Sequence, residues 1–123
     1  MLSCGTGKDL EVAKRAVEEF RGRVAAEQDD AIYNAADAAW KQAIDRETNH
    51  KFFARLRRKL GKYQKSTNTG FYINFTTGGT FANLNYATQC EKGDLEETFS
   101  WHVANGTAYL TSYQARSPLL LTD

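Results

Sequence analysis

The 123-residue sequence contains few of the residues that constrain a chain through ring geometry, disulfides or metal binding: it has one proline, two cysteines and two histidines. Cys4 and Cys90 stand alone, without a C-x-x-C or H-x-x-x-H spacing, which argues against a structural zinc site and favours two free thiols. No apolar run approaches the ~18 residues of a membrane helix, so no transmembrane segment is predicted. With 41% hydrophobic and 25% charged residues, the composition is that of one globular domain.

The sequence also lacks an excess of charge of either sign, since the net charge is +1. This total is too small to indicate a dedicated nucleic-acid-binding protein, and nucleic acid is not an expected partner. The distribution is uneven: residues 1–65 carry 14 basic and 10 acidic side chains, and residues 66–123 carry 2 and 5. The sequence therefore predicts a charge-polarised molecule.

The first half of the chain, from about 8 to 64, predicts three helices. The first would be capped by Asp9, and its apolar stripe recurs at steps of three and four residues: Leu10, Ala13, Val17, Phe20 and Val24. The second would begin at Asp29-Asp30, with the stripe Ile32, Ala36, Trp40, Ala43 and Ile44. The third would follow Asp45 or Thr48 as its cap, end near Gly61, and turn inward Phe53, Leu56, Leu60 and Tyr63.

The second half changes to Thr, Asn, Tyr, Phe and Gly with a period of two, which predicts strands at about 69–77, 80–91, 95–104 and 107–116. The turn signals between them are Gly78-Gly79, Lys92-Gly93-Asp94 and Asn105-Gly106. Such short connections predict a four-stranded antiparallel meander, and helices followed by a sheet predict an α+β fold.

One face of this sheet should pack on the helices. The positions expected to point inward are Phe71, Ile73, Phe75, Leu84, Tyr86, Thr88, Cys90, Phe99, Trp101 and Val103. This set holds no carboxylate and no histidine, which makes a poor wall for acid–base catalysis. We therefore predict no catalytic residue, no metal ligand and no cofactor.

Over about residues 8–116, the chain resembles the nuclear-transport-factor-2-like superfamily in the order of several short segments. They are Leu60-Gly61, Leu84-Asn85-Tyr86, Glu91-Lys92-Gly93, Glu97-Thr98-Phe99-Ser100-Trp101 and Asn105-Gly106, followed by Leu110 and Tyr113. The sequence is more narrowly similar to small domains of bacterial envelope lipoproteins and secreted proteins, although Ala108 and Tyr109 stand where that family usually has a tryptophan. The resemblance implies a cone in which a curved sheet wraps around helices and often leaves a pocket. Because members include enzymes, transport factors and assembly domains, it does not by itself imply an activity.

The resemblance and the first residues together predict where the protein resides. Cys4 follows Met1-Leu2-Ser3 as at a lipoprotein cleavage site, so it is a candidate for lipidation. We expect residues 1–7 to be a flexible, anchor-bearing N-terminus, residues 8–116 the domain, and residues 117–123 a tail. A periplasmic or membrane-anchored lipoprotein is favoured, and a cytoplasmic protein is the alternative.

Three functions are consistent with the sequence. The first is a non-enzymatic binding or assembly module of the bacterial envelope, able to form a homodimer through the polar sheet face of Thr98, Ser100 and His102 or to bind an envelope protein. The second is a small-pocket enzyme or hydrophobic-ligand carrier, with Tyr86, Cys90, Phe99 and Trp101 around the ligand.

The third is a binder of anionic surfaces such as acidic lipid. Between positions 46 and 65 the chain carries eight basic residues against the single acid Glu47. Arg55, Arg58, Lys59 and Lys62 are predicted to cluster on one flank of the third helix, where they would present a positive field.

Overall fold

Helices come first and strands second in the computed structural model, which describes residues 3–122 and the side chains from residue 7 to residue 122. The helices are α1 Ser3–Ala25, α2 Asp29–Ala35, α3 Ala38–Ala43 and α4 Arg46–Leu60. The strands are β1 Tyr63–Thr76, β2 Gly79–Cys90, β3 Asp94–Ala104 and β4 Thr107–Arg116. A short 3₁₀ helix, Pro118–Leu121, follows the last strand. The predicted α+β class is confirmed.

The cap predicted for the last helix is confirmed at both ends. The Asp45 carboxylate accepts a hydrogen bond from the Thr48 amide at 2.7 Å, which makes Asp45 the N-cap of α4. Gly61 ends α4 with a φ of 75°, a left-handed conformation that suits glycine. The chain therefore turns from α4 directly into β1.

The helix prediction is wrong in three details. Asp9 lies inside α1, which already runs from Ser3. The second predicted helix is two short helices, because Ala36 is extended and Asp37 caps a new helix by accepting the Ala39 amide. Tyr63 belongs to β1, which begins six residues before the predicted start at 69.

The sheet is the predicted antiparallel meander, in the order β1-β2-β3-β4. The turn between β3 and β4 has positive φ at Asn105 (52°) and Gly106 (77°), as a two-residue hairpin turn requires. β1 pairs only with β2 and contains two register shifts, at Tyr63/Lys65 and Asn68/Gly70. From Gly70 to Thr76 its pairing is uninterrupted.

One face of the sheet packs on the helices, as predicted. Its buried residues include Leu84, Phe99, Trp101 and Val103, which meet Val17 and other members of the α1 stripe in one core. Two predictions about this face are wrong. Phe71 and Phe75 are 55% and 59% exposed, because the helices do not extend over them at the edge of the sheet. The face also carries a carboxylate, Glu97, which is 0% exposed.

Candidate functional site

A buried ion pair joins the first helix to the third strand. Arg21 of α1 and Glu97 of β3 approach to 2.8 Å between Nη2 and Oε1, and their side chains are 8% and 0% exposed. Glu97 faces inward because it lies two residues from Leu95 and from Phe99 and so shares the face of these buried residues. Glu97 is the buried carboxylate of the sheet face, so this pair is the first candidate for acid–base chemistry in the core.

The carboxylate of Glu97 is held by further donors. The Thr88 hydroxyl donates to Oε1 at 2.8 Å, and the Tyr113 hydroxyl donates to Oε2 at 2.5 Å. Together with Arg21, these groups satisfy both carboxylate oxygens. Glu97 is thus a fixed acceptor within the core, with its lone pairs directed at residues of its own chain.

Arg21 is enclosed by aromatic rings. Its guanidinium carbon lies 4.9 Å from the ring centre of Tyr63, 5.2 Å from that of Tyr86 and 5.7 Å from that of Phe99. Its Nη2 also donates to the exposed Ser66 at 2.7 Å. Among the described residues, Nε and Nη1 of Arg21 have no hydrogen-bond partner. The arrangement stabilises the cation through π faces.

Burial holds the neighbouring ionisable groups in their neutral forms. It raises the pKa of Tyr113 and of Tyr63 well above the usual value, and nearby Glu97 adds to both shifts. Burial also raises the pKa of Tyr86, and that of the Cys90 thiol to about 11. None of these four groups is suited to act as a base or nucleophile near neutral pH.

The four predicted pocket residues lie in the core. Tyr86, Cys90, Phe99 and Trp101 are all buried, with at most 7% of each residue exposed. Phe99 contacts four rings, those of Phe20, Tyr86, Trp101 and Tyr113, at 4.9–5.9 Å between centroids. Trp101 also lines a cavity of about 30 Å³, far below the several hundred Å³ that a drug-sized ligand occupies. Their role as ligand-binding residues stays a prediction.

His50 has a carboxylate partner that the sequence spacing did not indicate. Its Nδ1 lies 2.8 Å from Oδ2 of Asp29, the buried first residue of α2. Arg57 holds the same carboxylate with two hydrogen bonds of 2.8 Å. Burial acts to raise the pKa of Asp29, but Arg57 and His50 together bring it below its usual value. This cluster fastens α2 to α4.

His102 pairs with the second aspartate that borders α2. Its Nδ1 lies 3.1 Å from Oδ1 of Asp37, and its ring stacks on Phe81 at 4.8 Å. The pKa of Asp37 is lowered first by the hydrogen bond from the Ala39 amide and then by His102. In the described part of the chain, neither histidine ring forms a hydrogen bond with a hydroxyl or thiol nucleophile. Both pairs act as contacts between elements.

The basic flank predicted on the third helix is partly occupied by the tail. Arg55 donates to the carbonyl oxygens of Leu120 at 2.6 Å and Thr122 at 2.8 Å, and Lys59 donates to the Thr122 hydroxyl at 3.4 Å. Arg58 and Lys62 are exposed. The structure therefore places two of the four cations against their own chain and two at the surface.

The polar sheet face predicted as a dimer surface forms hydrogen bonds within itself. Thr98 donates to Oδ1 of Asn85 at 2.9 Å, and Ser100 donates to Oδ1 of Asn83 at 2.5 Å. The lipidation candidate, Cys4, has its side chain outside the described residues. Its modification and the homodimer through this face stay predictions.

The most exposed aromatic side chains lie on β1. Phe71, Tyr72 and Phe75 are 55%, 60% and 59% exposed. No Asp, Glu, Lys, Arg or His occurs between Lys65 and Glu91, so the β1–β2 hairpin is uncharged from Ser66 to Cys90. The sequence analysis missed this surface because strand alternation gives the direction of a side chain and not the reach of the helices beside it.

No family model matches the chain, and no curated protein matches it with significant similarity. Within residues 3–122, no helix is long and apolar enough to cross a membrane. The same residues contain no group of three or more His, Cys, Asp and Glu side chains that could hold a metal ion. The arguments about function therefore rest on the sites described above.

Proposed function

We propose that this chain is a non-enzymatic binding or assembly module whose binding element is the free edge of β1. The exposure of Phe71, Tyr72 and Phe75 on an edge strand that carries no charge after Lys65 supports the proposal. Exposed apolar groups that lie together mark interaction surfaces in soluble proteins. An edge strand also offers unpaired main-chain donors and acceptors, to which a partner strand can add.

The state of the interior supports a binding role over an enzymatic one. Glu97 has both carboxylate oxygens bonded within the chain. Burial raises the pKa values of Tyr63, Tyr113 and Cys90, which disfavours their ionised forms. Catalysis by these interior groups would need at least one of them to be open to a substrate and able to exchange a proton.

The proposal includes the resemblance to the nuclear-transport-factor-2-like cone. Helices on one face of a four-stranded antiparallel meander are consistent with it. Register shifts in β1 and between Ser100 and Trp101 are of the kind that bends strands, as a curved sheet would need. We also propose the bacterial envelope as the setting, on the basis of the sequence resemblance alone.

Site-specific photocrosslinking in the cells that make the protein tests the proposed function. A photoreactive amino acid at Tyr72 of β1 is compared with one at Tyr109 of β4, since both are exposed tyrosines on edge strands. We expect discrete crosslinked species from position 72 and none from position 109. No species from position 72, or equal labelling from both, would overturn the proposal.

A further inference from the structure

The two edges of the sheet differ in how they are covered. At the β4 edge, the Asp37 amide donates to the carbonyl oxygen of Leu110 at 2.9 Å, and α3 packs beside the strand. At the β1 edge, the described residues supply no main-chain partner other than β2. The sheet can therefore be extended at β1.

The segment Gly70–Thr76 of β1 lacks the devices that usually protect an edge. It contains no charge and no proline, and its pairing with β2 has no bulge. The two bulges of β1 lie earlier, ahead of Gly70. A regular, uncharged edge with exposed aromatic residues accepts a second strand without distortion or burial of charge.

Two phenylalanines of this segment, Phe71 and Phe75, lie symmetrically about Ile73. Phe71, Ile73 and Phe75 lie on one face, opposite Leu84, Ala82 and Thr80 of β2. When the segment is paired antiparallel with itself and centred on Ile73, each Phe71 faces a Phe75 of the other copy and the two Ile73 side chains meet. Tyr72 and Asn74 face each other on the opposite side.

We propose that two copies of this chain associate through antiparallel pairing of β1 with β1 about a two-fold axis at Ile73. A residue near such an axis meets its own counterpart, so any charge there would repel itself. The residues between Lys65 and Glu91 carry no charge and so satisfy this condition. The result is a continuous eight-stranded sheet with aromatic pairs across the new junction.

The area available is compatible with a specific interface. Each copy contributes three aromatic side chains that are more than half exposed. Burying all six would remove on the order of 600 Å² from water, if each retains about 100 Å². The paired backbones and Ile73 add to this, toward the ~1,000 Å² that a specific interface needs.

Sedimentation over a concentration series that reaches about 100 μM tests the self-association. We expect a monomer–dimer equilibrium for the unmodified chain. Phe71→Lys and Phe75→Glu should each raise the dissociation constant at least about tenfold, because each removes both aromatic pairs. In the double variant Phe71→Lys/Phe75→Glu, opposite charges face each other in both pairs, so dimerisation should recover. Tyr109→Lys on β4 is the matched control and should leave the dissociation constant unchanged.

Each of the other outcomes overturns the inference. A monomer across the whole series, or a dimer that Phe71→Lys does not weaken, rules out β1 self-pairing. So does failure of the double variant to recover, provided that its circular dichroism matches the parent. Tyr72→Lys, at a 60% exposed position, gives a second disruptive variant should Phe71→Lys fail to fold.

The inference rests on the proposed function, and the crosslinking experiment separates the two. A product at twice the chain mass from position 72 supports both. A product containing a different protein, with a monomer in sedimentation, removes the self-pairing and leaves β1 as a binding edge. Absence of any product from position 72 removes the proposed function itself.

Discussion

The guanidinium of Arg21 and the carboxylate of Glu97 form an ion pair of 2.8 Å in the core, where their side chains are 8% and 0% exposed. Two ions withdrawn from water gain little net stability from their attraction, because desolvation offsets it. Removing one of them is costly, since the other is left buried and unpaired. The pair therefore fixes how α1 sits on the sheet more than it adds to the free energy of unfolding.

The first prediction follows from this asymmetry. We expect Arg21→Met and Glu97→Leu each to lower the free energy of unfolding by about 3–5 kcal/mol. The double variant Arg21→Met/Glu97→Leu should lose clearly less than the sum, with a coupling of about 1–3 kcal/mol. Urea unfolding of the four proteins measures this cycle. Additive losses would contradict the buried pairing.

Tyr113 and Tyr63 should respond differently to loss of their hydroxyls. The Tyr113 hydroxyl donates to Glu97, so we expect Tyr113→Phe to cost about 1.5–3 kcal/mol, as for other hydrogen bonds to charged groups. The Tyr63 hydroxyl is buried without a hydrogen-bond partner in the described residues, so Tyr63→Phe should cost less than about 0.5 kcal/mol. Thermal or urea unfolding distinguishes them, and equal losses would contradict the assigned geometry.

Acid should destabilise the protein through Asp29. Its pKa lies below the usual 3.8 in the folded chain, so the unfolded state binds its proton first as the pH falls. The resulting stability is complete above about pH 5 and is lost as the pH falls through the folded-state pKa. We expect Asp29→Asn to be less stable at neutral pH and to lose less between pH 5 and pH 2. Urea unfolding at several pH values measures this, and parallel pH profiles for both proteins would count against it.

The Cys90 thiol should be unreactive in the folded protein. It is 5% exposed, and burial raises its pKa to about 11, whereas thiol reagents attack the thiolate. In a Cys4→Ser background, we expect Ellman's reagent to label Cys90 slowly without denaturant and within the mixing time in unfolding concentrations of urea. Rapid labelling of the native protein would show that the thiol is open to solvent.

The sequence predicted the fold class and most element boundaries because local signals decide them. Apolar stripes at steps of three and four gave the helices, and alternation with short turns gave the meander. The Asn105-Gly106 turn is confirmed by its two positive φ values. Glu97 was missed although its spacing of two residues from Leu95 and Phe99 places it on their inward face. A carboxylate in a sequence is normally expected to be solvated. Glu97 can be buried because Arg21, from a helix distant in sequence, pairs with it.

What the sequence determined by itself is the direction in which each strand residue points and the places where the chain turns. Tertiary structure decided which of those residues are covered. Phe71 and Leu84 lie opposite each other on the same face, yet Phe71 is 55% exposed and Leu84 is 0% exposed. The difference arises because β1 is the edge strand, so one side of each of its residues has no neighbouring strand, and the helices do not cover Phe71. Burial depends on neighbours that are remote in sequence, and a local pattern carries no information about how far they extend.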